Sequence, residues 1–332
     1  MPGRVLITRP IPEPGPSLIA EVAEEVVANP DDEPLPAADL LGQIAGFDAV
    51  VCLLNDRIDG PVMDRAAGCK LFANMAVGYN NIDVAEATRR KILVTNTPGV
   101  LTEATADIAW ALILGVARRV AEGDRVMRAE AFPGWGPLYM LGGEVSGKTL
   151  GLVGPGRIAR AVAERAKGFR MPLLYQGRRE STEMEALGAR RVDLETLLRA
   201  SDFVSLHVPL TAETTHLIDA RALALMRPTA YLINTSRGPV VDEAALVETL
   251  KAGRIAGAGL DVYEREPEMA AGLVDRQNAL LLPHLGSATT EARARMSGLV
   301  AANVVAFLRG QRPPNLVNPE AWSGPTSAPS SP

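Results

Sequence analysis

Short apolar runs alternate along this chain with longer stretches whose apolar residues recur at helical spacing. The runs include Val5–Ile7, Val50–Leu54, Ile92–Val94, Leu150–Val153, Leu173–Tyr175, Phe203–Leu206, Tyr231–Ile233 and Leu280–Leu282. Runs with so few polar interruptions fit strands buried on both faces, as in parallel sheets. Between them lie predicted helices. One begins near Glu103 and carries Ile108, Leu112, Ile113, Val116 and Val120 on one apolar face. Another is expected from Ser287 to Leu308. Strand–helix alternation on this scale predicts an α/β architecture with right-handed crossovers.

The two long helices bracket a self-contained series of strand–helix repeats. Residues 102–286 are therefore expected to form one domain, and residues 1–101 with 287–320 a second, discontinuous one. The length, 332 residues, agrees with two domains. Residues 321–332, rich in Ser, Pro and Gly, are expected to be a disordered tail. No internal repeat is visible.

Composition narrows the function classes. A hydrophobic fraction of 47% and a charged fraction of 22% are ordinary for a globular chain. Net charge is -5 and the basic residues are scattered, which speaks against a nucleic-acid partner. The first residues have no signal-peptide core, and no apolar stretch reaches the length of a membrane span. Cys52 and Cys69 are expected as free thiols in a cytoplasmic protein. No metal site is expected, since no Cys or His spacing suits one.

The run ending at Val153 leads into Gly154-Pro155-Gly156-Arg157-Ile158-Ala159 and then a helical segment. This is the dinucleotide fingerprint with alanine at its third small position. Gly154 permits the tight turn, Gly156 lets backbone approach a pyrophosphate, and Ala159 lets the helix lie close to the strand. After the next strand, expected to begin beyond Pro172, stands Gln176-Gly177-Arg178-Arg179. An NAD site usually has a carboxylate there, whereas two guanidinium groups suit a 2′-phosphate. NADP is therefore the expected cofactor and NAD the second choice, with nearby Glu180 as a possible ribose partner and a solvated basic turn as the bland alternative.

Hydride chemistry beside such a cofactor calls for a cation where the substrate is acidic, a proton donor, and a partner that keeps the donor charged. The chain has three histidines. His216 lies in a polar connection and reads as a surface residue. His207 either lines a cofactor site through its backbone or is simply packed. His284 follows a strand-like run, where open α/β sheets place ligands. Arg237 also stands at a strand end, in Asn234-Thr235-Ser236-Arg237-Gly238. Glu266 is a candidate partner for His284, but charge alone cannot separate it from Glu264.

Taken with Ala76-Val77-Gly78-Tyr79-Asn80-Asn81-Ile82-Asp83, Asn96-Thr97-Pro98-Gly99-Val100 and Gly259-Leu260-Asp261-Val262, these motifs mark a resemblance. The chain resembles the D-isomer-specific 2-hydroxyacid dehydrogenases up to about Pro319, in the glyoxylate/hydroxypyruvate reductase branch. The resemblance implies two Rossmann-like, doubly wound parallel-sheet domains with the active site in the cleft between them. It implies that Arg237 binds the substrate carboxylate, that Glu266 pairs with His284, and that His284 protonates the carbonyl. Val77 and Gly78 would offer N–H groups to the substrate. Gly154, Pro155, Gly156, Arg157, Ile158, Arg178, Arg179, Thr105, His207, Val208, Pro209, Thr214, Asn234, Thr235, Ser236, Asp261 and Gly286 would line the cofactor site, with Asp261 at the carboxamide. The branch also implies a homodimer, with Trp135 reaching toward a partner or else buried as core.

The expected reaction is hydride transfer from NAD(P)H to glyoxylate or hydroxypyruvate, giving glycolate or D-glycerate. Two alternatives stand beside it: another family enzyme, of phosphoglycerate dehydrogenase type, and a nicotinamide-sensing corepressor or scaffold on the same fold.

Overall fold

The computed structural model describes residues 3–33 and 36–324. The chain forms two compact units, one of residues up to Leu101 with those from Thr289 onward, the other Thr102–Ala288.

The first unit holds strands β1 (Arg4–Ile7), β2 (Glu25–Ala28), β3 (Ala49–Cys52), β4 (Leu71–Asn74) and β5 (Leu93–Thr95). They form one parallel sheet in the order β2-β1-β3-β4-β5. Strands β3, β4 and β5 are buried on both faces, as the apolar runs predict for β3 and β5. Val5 and Ile7 join one core with Val51, and Leu6 joins another with Val50. Helix Thr290–Leu308 lays Met296, Val300 and Val304 on the first of these cores. It starts three residues later than expected, because Thr289 caps it by accepting from the Ala292 amide. The stretch expected to be disordered begins in order: Ala321 is buried and Trp322 packs against the same core. Its later part, residues 325–332, lies outside the described residues.

The second unit holds β6 (Leu150–Val153), β7 (Leu173–Gln176), β8 (Arg190–Arg191), β9 (Phe203–Leu206), β10 (Tyr231–Asn234), β11 (Gly257–Leu260) and β12 (Ala279–Leu281). They make a parallel sheet in the order β12-β11-β10-β9-β6-β7-β8. Strand order reverses between β6 and β9, and the carboxyl ends beside such a switch point are where doubly wound sheets bind nucleotides. β7 begins after Pro172, which has no N–H to give to the ladder.

Helix Thr102–Ala117 covers one face with Ala106, Ala109, Leu112, Ile113 and Val116. It does not run on through Val120 as its apolar spacing predicts. Arg119 takes a left-handed backbone (φ 54°) and a new helix, Val120–Arg128, starts there with Val120 59% exposed. Among the described residues no helix is long and apolar enough to cross a membrane.

Candidate active site

Gly154 sits at the switch point with φ +96°. A side chain there would strain the backbone, and its Cβ would lie 2.7 Å from the His207 carbonyl oxygen that follows β9. Only glycine fits. Helices begun by Asp193, Asp219 and Asp242 are capped by those side chains, but helix Arg157–Ala166 has no side-chain cap at Gly156. Its first N–H groups are thus left for an anion. The Thr235 hydroxyl is buried with no partner among the described residues, as a cofactor-lining donor would be. These features fit a dinucleotide. Gly154, Gly156 and the amides of the Arg157 turn would hold its phosphates.

Arg178 and Arg179 are exposed in the turn after β7. That turn is tied down by a residue sequence reasoning missed. Arg191, on the two-residue edge strand β8, donates to the carbonyls of Gly177 (3.1 Å) and Arg178 (3.2 Å). Arg191 also draws Glu180 to 3.8 Å, which gives that carboxylate a partner other than a ribose. Nothing in the local sequence marks Arg191, because only strand pairing brings it to the turn.

Arg237, Glu266 and His284 follow β10, β11 and β12 respectively, at the carboxyl ends of three neighbouring strands. His284 Nδ1 and Glu266 Oε2 are 2.8 Å apart, and the side chains remain 29% and 32% exposed. Nε2 of the imidazole is left facing outward from the pair. The other Glu266 oxygen accepts from the Tyr263 amide at 3.1 Å. Burial by itself would raise the Glu266 carboxyl. The hydrogen bond and charge of His284, the Tyr263 amide and the positive Arg237 outweigh it, and hold the group below the ordinary carboxylate value. Arg237 is half-buried; burial lowers its pKa while the charge of Glu266 opposes the shift.

The ambiguity between two glutamates is resolved by partners. Glu264 pairs with His216 at 2.8 Å, so that histidine has a carboxylate of its own. His207 hydrogen-bonds the Ser205 hydroxyl at 2.9 Å, and burial pulls its pKa down to about 3. It is a packed histidine whose carbonyl lies against Gly154 of the glycine loop.

Several expected cofactor contacts are also the braces of this site. The Asn234 amide donates to the Arg237 carbonyl (2.9 Å), and its oxygen accepts from the Ser236 amide and hydroxyl, which locks the turn carrying Arg237. Asp261 accepts from the amides of Leu285 (2.6 Å) and Gly286 (2.7 Å), the two residues after His284. Thr105 donates to the Gly286 carbonyl at 2.8 Å. His284 itself has φ 56°, a left-handed conformation unfavourable for a side-chain-bearing residue. Asp261 and Thr105 hold it there. The Thr214 hydroxyl, expected at the cofactor, binds the Pro209 carbonyl at 2.6 Å and shapes that loop. Val208 lies against Gly154, where an added Cβ would meet its side chain at 2.9 Å; Ile158 is in the helix after the glycine turn and Pro209 follows β9. Val77 and Gly78 belong to the first unit, in the loop after β4.

A doubly wound sheet with a glycine turn at its switch point, and an arginine, a glutamate and a histidine on neighbouring strand ends, defines a nicotinamide-dependent dehydrogenase. Comparison with known proteins supplies the family. Residues 110–286 match the family model described as D-isomer specific 2-hydroxyacid dehydrogenase, NAD binding domain. A glyoxylate reductase of Thermococcus litoralis is 52% identical over 323 residues, covering 96% of this chain and 97% of that protein. One from Pyrococcus furiosus is 50% identical, covering 96% of each. Among solved structures, an NADPH-dependent glyoxylate/hydroxypyruvate reductase of Sinorhizobium meliloti, in complex with NADP and malonate, is similar at a TM-score of 0.86. It is 34% identical and the match covers 99% of this chain and 100% of that one. The chain belongs to the D-isomer specific 2-hydroxyacid dehydrogenase family.

Proposed function

We propose that this enzyme reduces the keto group of glyoxylate or hydroxypyruvate, giving glycolate or D-glycerate, with NADPH preferred to NADH. The observation that carries the reading is the 2.8 Å Glu266–His284 pair beside Arg237 on adjoining strand ends. Relatives about half identical over nearly the whole chain are glyoxylate reductases, which favours this substrate class over a phosphoglycerate-type enzyme or a sensor.

The roles follow from donor chemistry. Arg237 offers a planar fork of N–H groups to the substrate carboxylate or keto oxygen. His284, held through Nδ1, presents Nε2–H to the keto oxygen, and the ionised Glu266 balances the charge on the protonated ring. The N–H groups of Val77 and Gly78 are proposed as further donors to the carboxylate. NADPH, when bound, supplies the hydride. When His284 gives up its proton the hydroxyl of the product is complete. NADPH preference is supported by Arg178 and Arg179 in a turn held by Arg191, and by Glu180 being drawn to that same arginine.

A homodimer is part of this reading. Between Val120 and Leu141 lie Met127, Phe132, Trp135 and Leu138, all exposed, with Trp135 86% and Leu138 81% exposed. Such an apolar concentration on one segment suits a protein interface, and the exposure of Trp135 disfavours the buried-core alternative. The cytoplasm is the proposed location, in keeping with two free, buried thiols. The test is a steady-state panel of glyoxylate, hydroxypyruvate, pyruvate and phosphohydroxypyruvate with each cofactor. Highest kcat/KM on one of the first two with NADPH is expected. Cofactor binding with no turnover of any of the four would overturn the reading in favour of a sensor.

A further inference from the structure

The loop after β4, buried at Ala76 and half-buried at Val77 and Gly78, is held by its carbonyls. Three successive carbonyls, those of Ala76, Val77 and Gly78, each accept a hydrogen bond from a different group of the first unit. Ala76 accepts from the Thr97 amide at 2.8 Å. Val77 accepts from the Asn96 side-chain amide at 2.8 Å, and Gly78 from the Asn74 side-chain amide at 2.9 Å. No acceptor among the described residues takes the N–H groups of Val77, Gly78 or Tyr79. In a trans peptide the C=O and the following N–H point in opposite directions. Fixing the Ala76 carbonyl therefore aims the Val77 N–H, and fixing the Val77 carbonyl aims the Gly78 N–H. Both donors come from the Asn96-Thr97 segment after β5, so both N–H groups point away from it.

Asn74 is fully buried. It also exchanges hydrogen bonds of 3.3 Å with Asn81, whose amide in turn donates to the carbonyls of Leu53 (3.0 Å) and Asp56 (3.1 Å). Asp56 accepts from the Thr8 hydroxyl at 2.6 Å and the Leu53 amide at 2.8 Å. The clamp is thus anchored to the carboxyl ends of β1, β3 and β4. Fixing these amide side chains, of which Asn74 is buried, on backbone carbonyls costs conformational entropy and desolvation. They are repaid in rigidity, which an anion site needs, since donors already aimed lose nothing on binding.

We propose that Asn96, backed by Asn74, is a positioning residue that aims the Val77 and Gly78 N–H groups at the carboxylate of the keto acid. This rests on the reading that those two amides bind the substrate. Asn96→Ala frees the Val77 carbonyl. The expected result is a rise in the glyoxylate KM of about tenfold, the scale of one well-aimed hydrogen bond to a charged group, with kcat falling less than KM rises. NADPH affinity, read by fluorescence, should stay within about twofold, since that site belongs to the other unit. Asn96→Asp is isosteric but sets an acceptor against the Val77 carbonyl, and should raise KM at least as much. Asn96→Ser keeps a donor at lower bulk and should recover part of the loss; it also serves if the alanine variant fails to fold. Gly78→Pro, which deletes one of the two N–H groups, is the control. A raised KM in Gly78→Pro with wild-type KM in the Asn96 variants overturns the clamp and leaves the carboxylate site standing. Wild-type KM in all of them overturns both. An equal loss of kcat and of NADPH binding in the Asn96 variants would show a role in folding alone and would also overturn the proposal.

Discussion

Replacing Glu266 with glutamine keeps the side-chain shape and removes one charge. One carboxylate oxygen faces His284 Nδ1 at 2.8 Å and the other accepts the Tyr263 amide at 3.1 Å. An amide has a single oxygen, so it cannot accept at both places. With its oxygen on Tyr263, its NH2 faces Nδ1. The ring must then accept there, and can present Nε2–H only as a neutral imidazole. With its oxygen turned to His284, two donors meet at Tyr263 in a half-buried site, at a cost of roughly 1–3 kcal/mol. Either way the charge-assisted bond to the protonated ring is lost. Such a bond contributes roughly 1.5–3 kcal/mol, which is about one to two decades in rate. For Glu266→Gln, kcat for glyoxylate reduction should therefore fall about 10- to 100-fold.

The pH profile should change on its acid side. The Glu266 carboxyl is held below its ordinary value, so the wild type loses the pair only as pH falls through that lowered value, below the normal carboxylate range. The glutamine variant should lack this acid limb. The measurement is absorbance of the reduced cofactor across the pH range. A glutamine variant with the wild-type rate and the wild-type acid limb would refute the pairing as the source of the proton donor.

Arg237→Lys keeps the charge but loses the planar fork; the glyoxylate KM should rise by about tenfold or more, and an unchanged KM would place the carboxylate anchor elsewhere. Arg178→Ala with Arg179→Ala should lower kcat/KM for NADPH about tenfold to a few hundredfold while sparing NADH, and high salt should weaken the wild-type preference; a double variant that still prefers NADPH would refute the phosphate role. His207 is held neutral, with its pKa down to about 3, whereas an unfolded histidine titrates at about 6.5. The unfolded state thus gains a proton that the folded state refuses, and stability should fall as pH drops from about 6.5 toward 3, by up to about 1.4 kcal/mol per pH unit. His207→Gln should flatten that part of the curve in denaturant melts, and an identical slope would sink the assignment. Trp135→Glu with Leu138→Glu should convert a dimer to a monomer in sedimentation, whereas a wild type that already sediments as a monomer would remove the proposed interface.

Most strands that the apolar runs reveal are buried on both faces, although the half-buried edge strand β12 is revealed too. The strands missed are of other kinds. β2 lies at a sheet edge, with Glu25, Val27 and Ala28 exposed, and β8 is two exposed arginines. β4 is short and fully buried, but its three apolar residues end at Asn74. β11, Gly-Ala-Gly-Leu, is central yet has almost no side chains to make a pattern. A Cβ on Gly259 would stand 2.9 Å from the Leu112 Cβ and one on Gly257 2.5 Å from the Asn278 carbonyl oxygen. Close packing by the helix and by the strand connection demands glycine there, and glycine carries no hydrophobic signal.

The sequence by itself determined the α/β class, the switch-point glycine turn and the three residue types at strand ends. Those depend on local chemistry: the φ that only glycine adopts freely, and apolar runs that cannot be solvated. Tertiary structure decided which partners meet. Glu264 and Glu266 are two residues apart and chemically alike, and only the fold sends one to His216 and the other to His284. It also turned Asn234, Asp261 and Thr105 into braces, brought Arg191 to the arginine turn, and set Asn96 against Val77, nineteen residues away along the chain. Hydrogen bonds of this kind join groups far apart in sequence, and their partners are fixed by strand order and loop geometry rather than by any local preference.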